Sequence, residues 1–187
     1  LMLQSKLCKT CFLPETTPGI EFDGSGVCNY CRDYVPMAVL GEKALLAELD
    51  RYRGTPGPHD CMVCLSGGRD STYILWKMVH DYNMNVLAVT YNSPFMSDQA
   101  HENIQAAVRA LGVKHLYWEY PKDVHRKTTE KHLRIWSKRP SSRMIPFVCA
   151  HCKSWSYEFY RIAGSHGIPL IVFGSNPLET ASFKKTG

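Results

Sequence analysis

From residue 60 onward, short apolar runs alternate with longer stretches in which apolar residues recur every three or four positions. Residues 61–65, 85–91, 114–120 and 168–173 are short, apolar and bounded by polar or turn-forming residues, which predicts buried strands. Residues 71–82 carry Ile74, Leu75, Met78 and Val79 at helical spacing and predict a helix with that face inward. Ser97 or Asp98 can cap the next helix, which runs to Leu111 with Gly112 as its stop. A further helix is predicted from just after Lys153 to about His166. Upstream, residues 37–53 place Leu40, Leu45, Leu46, Leu49 and Tyr52 at helical spacing, and Gly54-Thr55-Pro56-Gly57-Pro58 breaks that helix. Strands alternating with helices predict an α/β fold with a doubly wound parallel sheet, and such sheets bind ligands at the carboxyl ends of their strands.

Composition narrows the class. The chain has 187 residues, 44% hydrophobic and 21% charged, enough for one domain with a real core and a small appendage. Its net charge of +5 suits an anionic ligand such as a nucleotide as well as it suits RNA. No apolar run is long enough to span a bilayer, and residues 1–12 lack the hydrophobic core of a signal peptide, so a cytoplasmic location is expected. In an unsecreted chain, eight cysteines argue for metal or redox chemistry over disulfides. All eight fall in Cys-x-x-Cys pairs.

The first two pairs, Cys8/Cys11 and Cys28/Cys31, stand sixteen residues apart. This is the four-thiolate zinc pattern, in which each pair forms a knuckle and two knuckles complete a tetrahedron. A closed four-cysteine site has no open position, so Zn²⁺ here would be structural. The alternatives are two disulfides or free thiols. Cys61 and Cys64 sit on a predicted strand three positions apart, so they face opposite ways and read as small buried hydrophobes.

The first predicted strand ends in Ser66-Gly67-Gly68-Arg69-Asp70-Ser71, and a helix follows at once. Glycines without Cβ let an anion approach their N–H groups, and the helix N-terminus aims free amides and its dipole at the same point. Ser66 and Ser71 add hydroxyls. Asp70 would repel a bare phosphate, which suggests bound Mg²⁺, a helix cap, or both. The alternative is an ordinary glycine turn capped by serine. The loop resembles the PP-loop of the ATP pyrophosphatases and lacks the Gly-Lys-Ser/Thr of a Walker A loop. That resemblance implies a HUP-type domain that cleaves ATP between its α and β phosphates. It makes Leu65, Ser66, Gly67, Gly68, Arg69, Asp70 and Ser71 nucleotide-binding candidates, with Asp70 also a catalytic candidate, and places Val89 to Tyr91, above all Tyr91, near the adenine.

The cysteine ribbon, with Pro14, Pro18, Gly19, Ile20, Phe22, Asp23, Gly26 and Val27 between its pairs, resembles the N-terminus of the N-acetyl sugar amidotransferases. So does Gly174-Ser175-Asn176-Pro177-Leu178-Glu179, which also resembles a segment of the tRNA thiolases. Gly174, Asn176 and Glu179 would then face the loop; an acidic first turn of a helix is the alternative for Glu179. Cys149-x-x-Cys152 departs from the amidotransferase pattern and resembles the Cys-x-x-Cys of PP-loop thiolases. There such cysteines hold a [4Fe–4S] cluster or carry a persulfide, and thiolates suit both roles. A second metal site, or a pair of buried thiols, are the alternatives for Cys149 and Cys152. Residues 122–143 are strongly basic, which fits a solvated helix face, a phosphate clamp or an RNA contact.

Together these features predict a zinc ribbon at residues 1–36, a helix and linker at 37–59, and a PP-loop nucleotide-binding domain at 60–187 that is incomplete at its C-terminus. The resemblance implies adenylation of a carbonyl or amide oxygen of a small-molecule acceptor, with ATP and Mg²⁺ as cofactors, and its replacement by nitrogen from a glutaminase partner. Sulfur transfer through Cys149 and Cys152, from a sulfur-donor protein to a nucleobase-like small molecule or a tRNA, is the second expectation. A non-catalytic zinc-ribbon module that binds RNA is the third. A homodimer fits each of them.

Overall fold

The computed structural model describes residues 5–36, 38–121, 123–140 and 154–174. The chain divides into two compact units, one running to Gly41 and one starting at Glu42. The first is a turn-rich ribbon. Leu7 bridges Pro14 and Phe22 bridges Cys28, and a single helical turn, α1 (Asn29–Arg32), follows Cys28 and contains Cys31. Asp23 Oδ1 accepts the amides of Ser25 and Val27 at 2.9 Å, closing the turn between the bridges.

The second unit holds the predicted α/β fold and takes in most of the helix expected as a linker. Helix α2 (Gly41–Asp50) sends Leu49 into its core. Strand β1 (Cys61–Cys64) leads into α3 (Arg69–Trp76), whose last turn widens to a π-helical turn at Lys77–Asp81. Then follow β2 (Val86–Tyr91), α4 (Asp98–Leu111), β3 (Lys114–Trp118), α5 (Val124–Lys138), α6 (Trp155–Ser165) and β4 (Ile171–Phe173). All pairings are parallel, in the order β3-β2-β1-β4, with Cys61 opposite Val86 and Met62 opposite Ile171.

Side-chain alternation splits the core in two. Cys61, Val63 and Leu65 face Leu75, Met78 and Ile104 from α3, the π turn and α4. Met62, Leu87 and Val89 face Phe159, Ile162 and Ala163 from α6 on the other side. Helices thus cover both faces of the sheet, as a parallel sheet requires. Each fully buried Leu or Met contributes about 1.5–3 kcal/mol. Cys61 and Cys64 fall on opposite faces, as their spacing predicts. Ser97 caps α4 by accepting the Ala100 amide at 3.2 Å, and Gly112 ends it in the left-handed region at φ +62°. Because β2 and β3 lie on one side of β1 and β4 on the other, the order reverses at β1. Crevices at such switch points, at the carboxyl ends of the strands, are where this architecture binds ligands.

Candidate functional site

The Ser66–Ser71 loop leaves β1 at that switch point. It is braced from two sides. Gly67 sits at φ +77° against α4, where an added Cβ would meet the Ala100 carbonyl oxygen at 2.5 Å, and Asn103 Nδ2 donates to the Gly67 carbonyl at 3.1 Å. Across the loop, Gly174 follows β4 so closely that a Cβ there would lie 3.0 Å from the Asp70 carbonyl oxygen. Inside the loop, Ser71 Oγ accepts the Ser66 amide and donates to the Gly68 carbonyl, both at 3.1 Å, and lies 3.0 Å from Ser66 Oγ. The Ser71 hydroxyl therefore staples the loop.

What remains free is the backbone. Among the described residues, the amides of Gly67, Gly68, Arg69 and Asp70 have no protein acceptor. Gly68 is the N-cap of α3 and no side chain caps that end, so Asp70 is not the cap. Asp70 lies in the first turn with an exposed carboxylate 3.2 Å from Arg69, whose side chain is 93% exposed. Four unpaired amides at a helix start, flanked by an exposed cation and a carboxylate able to hold Mg²⁺, form an anion cradle.

Beside the loop lies a cavity of ≈ 370 Å³ with largely apolar walls, lined by Cys64, Leu65, Ser66 and Ser71 on the loop side. Val89, Tyr91 and Met96 form one wall and Trp155, Phe159, Phe173 and Gly174 the other. Flat apolar walls beside an anion cradle suit a planar ring carrying phosphates. Tyr91 Oη is buried; Ser93 lies near, but among the described residues no bond of good geometry forms. Burial pushes the Tyr91 phenol up to about 12, so it is a neutral donor. Burial pushes the Cys64 thiol to about 12 as well, which makes it a hydrophobic wall rather than a nucleophile.

Two residues hold the start of the loop: His115, which sequence reasoning missed, and Thr90, which it placed near the adenine without seeing this role. Thr90 is fully buried, and its hydroxyl donates to the Leu65 carbonyl at 2.7 Å. His115 Nε2 lies 2.8 Å from the same hydroxyl. Since that hydroxyl has spent its proton, His115 must donate from Nε2, and burial lowers the ring's pKa. A polar residue inside each of two apolar strands was the available signal. Asn103 and Ala100 gave none.

In the N-terminal unit, the sulfurs of Cys8, Cys11, Cys28 and Cys31 all lie within 4.8 Å of one another. Cys8 and Cys31 are 3.9 Å apart and Cys11 and Cys28 3.6 Å apart. A tetrahedral zinc with Zn–S of about 2.3 Å sets its sulfurs about 3.8 Å apart, so the cluster is compatible with zinc. Burial pushes the Cys8 thiol up, but the amides of Cys11, Cys28 and Thr10 outweigh it and bring Cys8 to about 6. Cys31, sharing a proton with Cys11 and desolvated, is pushed to about 12. A divalent cation lets all four ionise together.

The chain's fold is matched by solved structures. A glutamine-dependent NAD+ synthetase from Acinetobacter baumannii, in complex with ADP, aligns with a TM-score of 0.53 at 18% identity. The alignment covers 87% of this chain and 31% of that one. This is an α/β fold of the HUP/PP-loop type. An NMN synthetase from Francisella tularensis aligns at a TM-score of 0.44 and 14% identity, over 71% of this chain and 54% of that one. The chain thus spans about a third and about half of the lengths of these two proteins. No protein-family model and no curated protein sequence matches the chain. Among the described residues, no helix is long and apolar enough to cross a membrane. Cys149, Cys152, Asn176 and Glu179 lie outside the described residues.

Proposed function

We propose that the chain binds ATP at the Ser66–Ser71 loop and uses it to adenylate an oxygen of an acceptor. The observation that carries this reading is the row of four unpaired amides at the start of α3, opening beside the aromatic-walled cavity. The ADP held by the A. baumannii protein of the same fold supports it. The adenine lies against Val89 and Tyr91, and the amides of Gly67, Gly68, Arg69 and Asp70 bind phosphate oxygens. Ser66 and the exposed Arg69 side chain add donors, and Asp70 would hold Mg²⁺, which neutralises phosphate charge. Leu65 and Gly174 shape the floor, and the resemblance of their segment makes Asn176 and Glu179 further ligand candidates. The acceptor's carbonyl or amide oxygen attacks the α phosphorus and the bond to the β phosphate breaks. Pyrophosphate leaves, its charge met by donors already in place. A nitrogen nucleophile then displaces AMP, which carries the acceptor's oxygen away. This is amide transfer of the N-acetyl sugar amidotransferase kind, with ammonia from a glutaminase partner and the zinc ribbon as a structural element.

Sulfur transfer is the second reading, and Cys149-x-x-Cys152 ahead of α6 favours it. There these cysteines hold a [4Fe–4S] cluster or a second metal, or carry a persulfide.

Calorimetric titration of ATP with Mg²⁺ tests the shared part. Binding is expected, and Asp70→Asn should weaken it at least tenfold. A wild-type chain that binds no ATP at millimolar concentration overturns the reading. Metal analysis after oxygen-free purification weighs the two branches: about four iron and four sulfide per chain select sulfur transfer, and zinc alone leaves amide transfer ahead with a persulfide as the remaining sulfur route.

A further inference from the structure

Two of the loop's unpaired amides, those of Gly68 and Arg69, belong to peptides whose carbonyls are held by other groups. A trans peptide is planar, with its C=O and N–H on opposite edges, so a donor that fixes one residue's carbonyl also fixes the next residue's amide. On the peptide that carries the Gly68 amide, the Gly67 carbonyl accepts Asn103 Nδ2 of α4 at 3.1 Å. On the peptide that carries the Arg69 amide, the Gly68 carbonyl accepts the Ser71 hydroxyl and the Thr72 amide, both at 3.1 Å. The peptide that enters the loop is held at both edges. Its Leu65 carbonyl accepts the Thr90 hydroxyl at 2.7 Å, and its Ser66 amide donates to Ser71 Oγ at 3.1 Å.

These bonds run in one direction. His115 Nε2–H donates to Thr90 Oγ1, and the Thr90 hydroxyl donates to the Leu65 carbonyl. Across that peptide the Ser66 amide donates to Ser71 Oγ, whose own proton goes to the Gly68 carbonyl. Across the next held peptide lies the unpaired Arg69 amide. Hydrogen bonds aligned head to tail polarise one another, so each donor strengthens the one after it. Asn103 does the same for the Gly68 amide in a single step. Neither polar side chain is needed to form its element: Asn103 is exposed on α4, and the other buried residues of β2 beside Thr90 are apolar.

We propose that Asn103 and the His115–Thr90 pair are positioning residues for the nucleotide's phosphates. Asn103 acts through the Gly68 amide, and the pair acts through Ser66, Ser71 and the Arg69 amide. Each sets the direction and donor strength of an N–H that meets a phosphate oxygen, and preorganised donors of this kind bind charge without having to turn toward it. The inference rests on the ATP reading of the loop and adds to it the residues that tune phosphate affinity from outside the Ser66–Ser71 segment.

The test compares ADP with adenosine on the full chain, ADP by calorimetric titration with Mg²⁺ and adenosine by ligand-observed NMR. Both ligands use the cavity, and only ADP uses the cradle. Asn103→Ala should weaken ADP about fivefold and leave adenosine binding and the melting temperature unchanged. Thr90→Val should weaken ADP by about fivefold or more in the folded chain, again without loss of adenosine, and Thr90→Ser should restore it. His115→Leu should fall between Thr90→Val and wild type, because the Thr90 hydroxyl keeps its bond to Leu65 and loses only the donor behind it. Unaltered ADP affinity in folded Asn103→Ala and Thr90→Val chains overturns the proposal. So does an equal loss of adenosine, which would mean that the cavity has deformed rather than that the amides have turned. A wild-type chain that binds no ADP overturns the ATP reading, and this inference falls with it; a wild-type chain that binds ADP no better than its variants overturns this inference alone.

Discussion

The two units solve the problem of staying folded by different means. In the ribbon, the buried residues among those described are Cys8 and Cys28, and its interior is sulfur. In the sheet unit, two apolar clusters flank β1, and a side chain such as Leu75 or Met62 is wholly excluded from water. A unit of about 40 residues cannot bury enough apolar surface to repay its chain entropy, and normally needs a metal or disulfides. The sheet unit meets that cost by burial. The same residue type therefore means different things in the two places: Cys8 and Cys28 belong to a four-sulfur cluster compatible with a metal ion, whereas Cys61 and Cys64 are pushed to about 12 by burial and serve as apolar filler.

Metal removal should break the comparison most sharply. Structural zinc contributes about 10–16 kcal/mol of apparent binding energy in such sites, more than the ribbon's few bridges can replace. Chelation, or Cys28→Ser, should abolish hydrogen-exchange protection in residues 5–36 and leave the sheet unit's protection intact. Ribbon amides that stay protected in zinc-free protein would show that another interaction holds it.

Within the sheet unit, a pair of glycines separates two kinds of constraint. Gly67 and Gly112 both have positive φ, +77° and +62°. An added Cβ meets the Ala100 oxygen at 2.5 Å at Gly67 and nothing within 4 Å at Gly112. Gly112→Ala should cost about 1–2 kcal/mol in denaturant unfolding, the strain of the left-handed conformation alone. Gly67→Ala adds about 1–3 kcal/mol of overpacking and should weaken ADP binding at least tenfold, because the loop must move off α4. Equal stability losses, or unchanged ADP binding, would mean that α4 does not brace the cradle.

These cases show what was legible in the sequence. The strands, the helix pattern and the Gly112 stop follow from periodicity and local backbone chemistry, and the cysteine cluster from spacing. Some boundaries moved inward: the expected helix at 37–53 is Gly41–Asp50, and the strand at 168–173 is Ile171–Phe173. The helix after the loop starts at Arg69, because Gly68 takes the cap position, and ends in a π turn. The glycine loop was legible as a cradle, but its support was not. Ala100 and Asn103 stand more than thirty residues from Gly67, and Gly174 reaches Asp70 only through the pairing of β4 with β1. Ser71, a ligand candidate, also staples the loop, a role no local pattern specifies because its partners come from the closure of the turn.

The smallest effects should come from the relay behind the loop. Thr90→Val keeps the shape but leaves the Leu65 carbonyl and the His115 Nε2–H without partners, at a cost of about 1–3 kcal/mol. Thr90→Ser should restore most of it; failure of that rescue would mean that the methyl group, not the hydroxyl, matters. The same relay sets a pH dependence. Burial lowers the His115 pKa in the folded protein, so below the ordinary value of about 6.5 the unfolded chain binds more protons at this site. The contribution of neutral His115 is thus fully present above that pH and is lost as pH falls through the lowered folded value. His115→Gln keeps an N–H donor for Thr90 and removes the titration, so it should flatten this part of the stability profile and leave neutral-pH stability nearly unchanged. A variant whose profile keeps the wild-type slope would place the acid sensitivity elsewhere in the sheet unit.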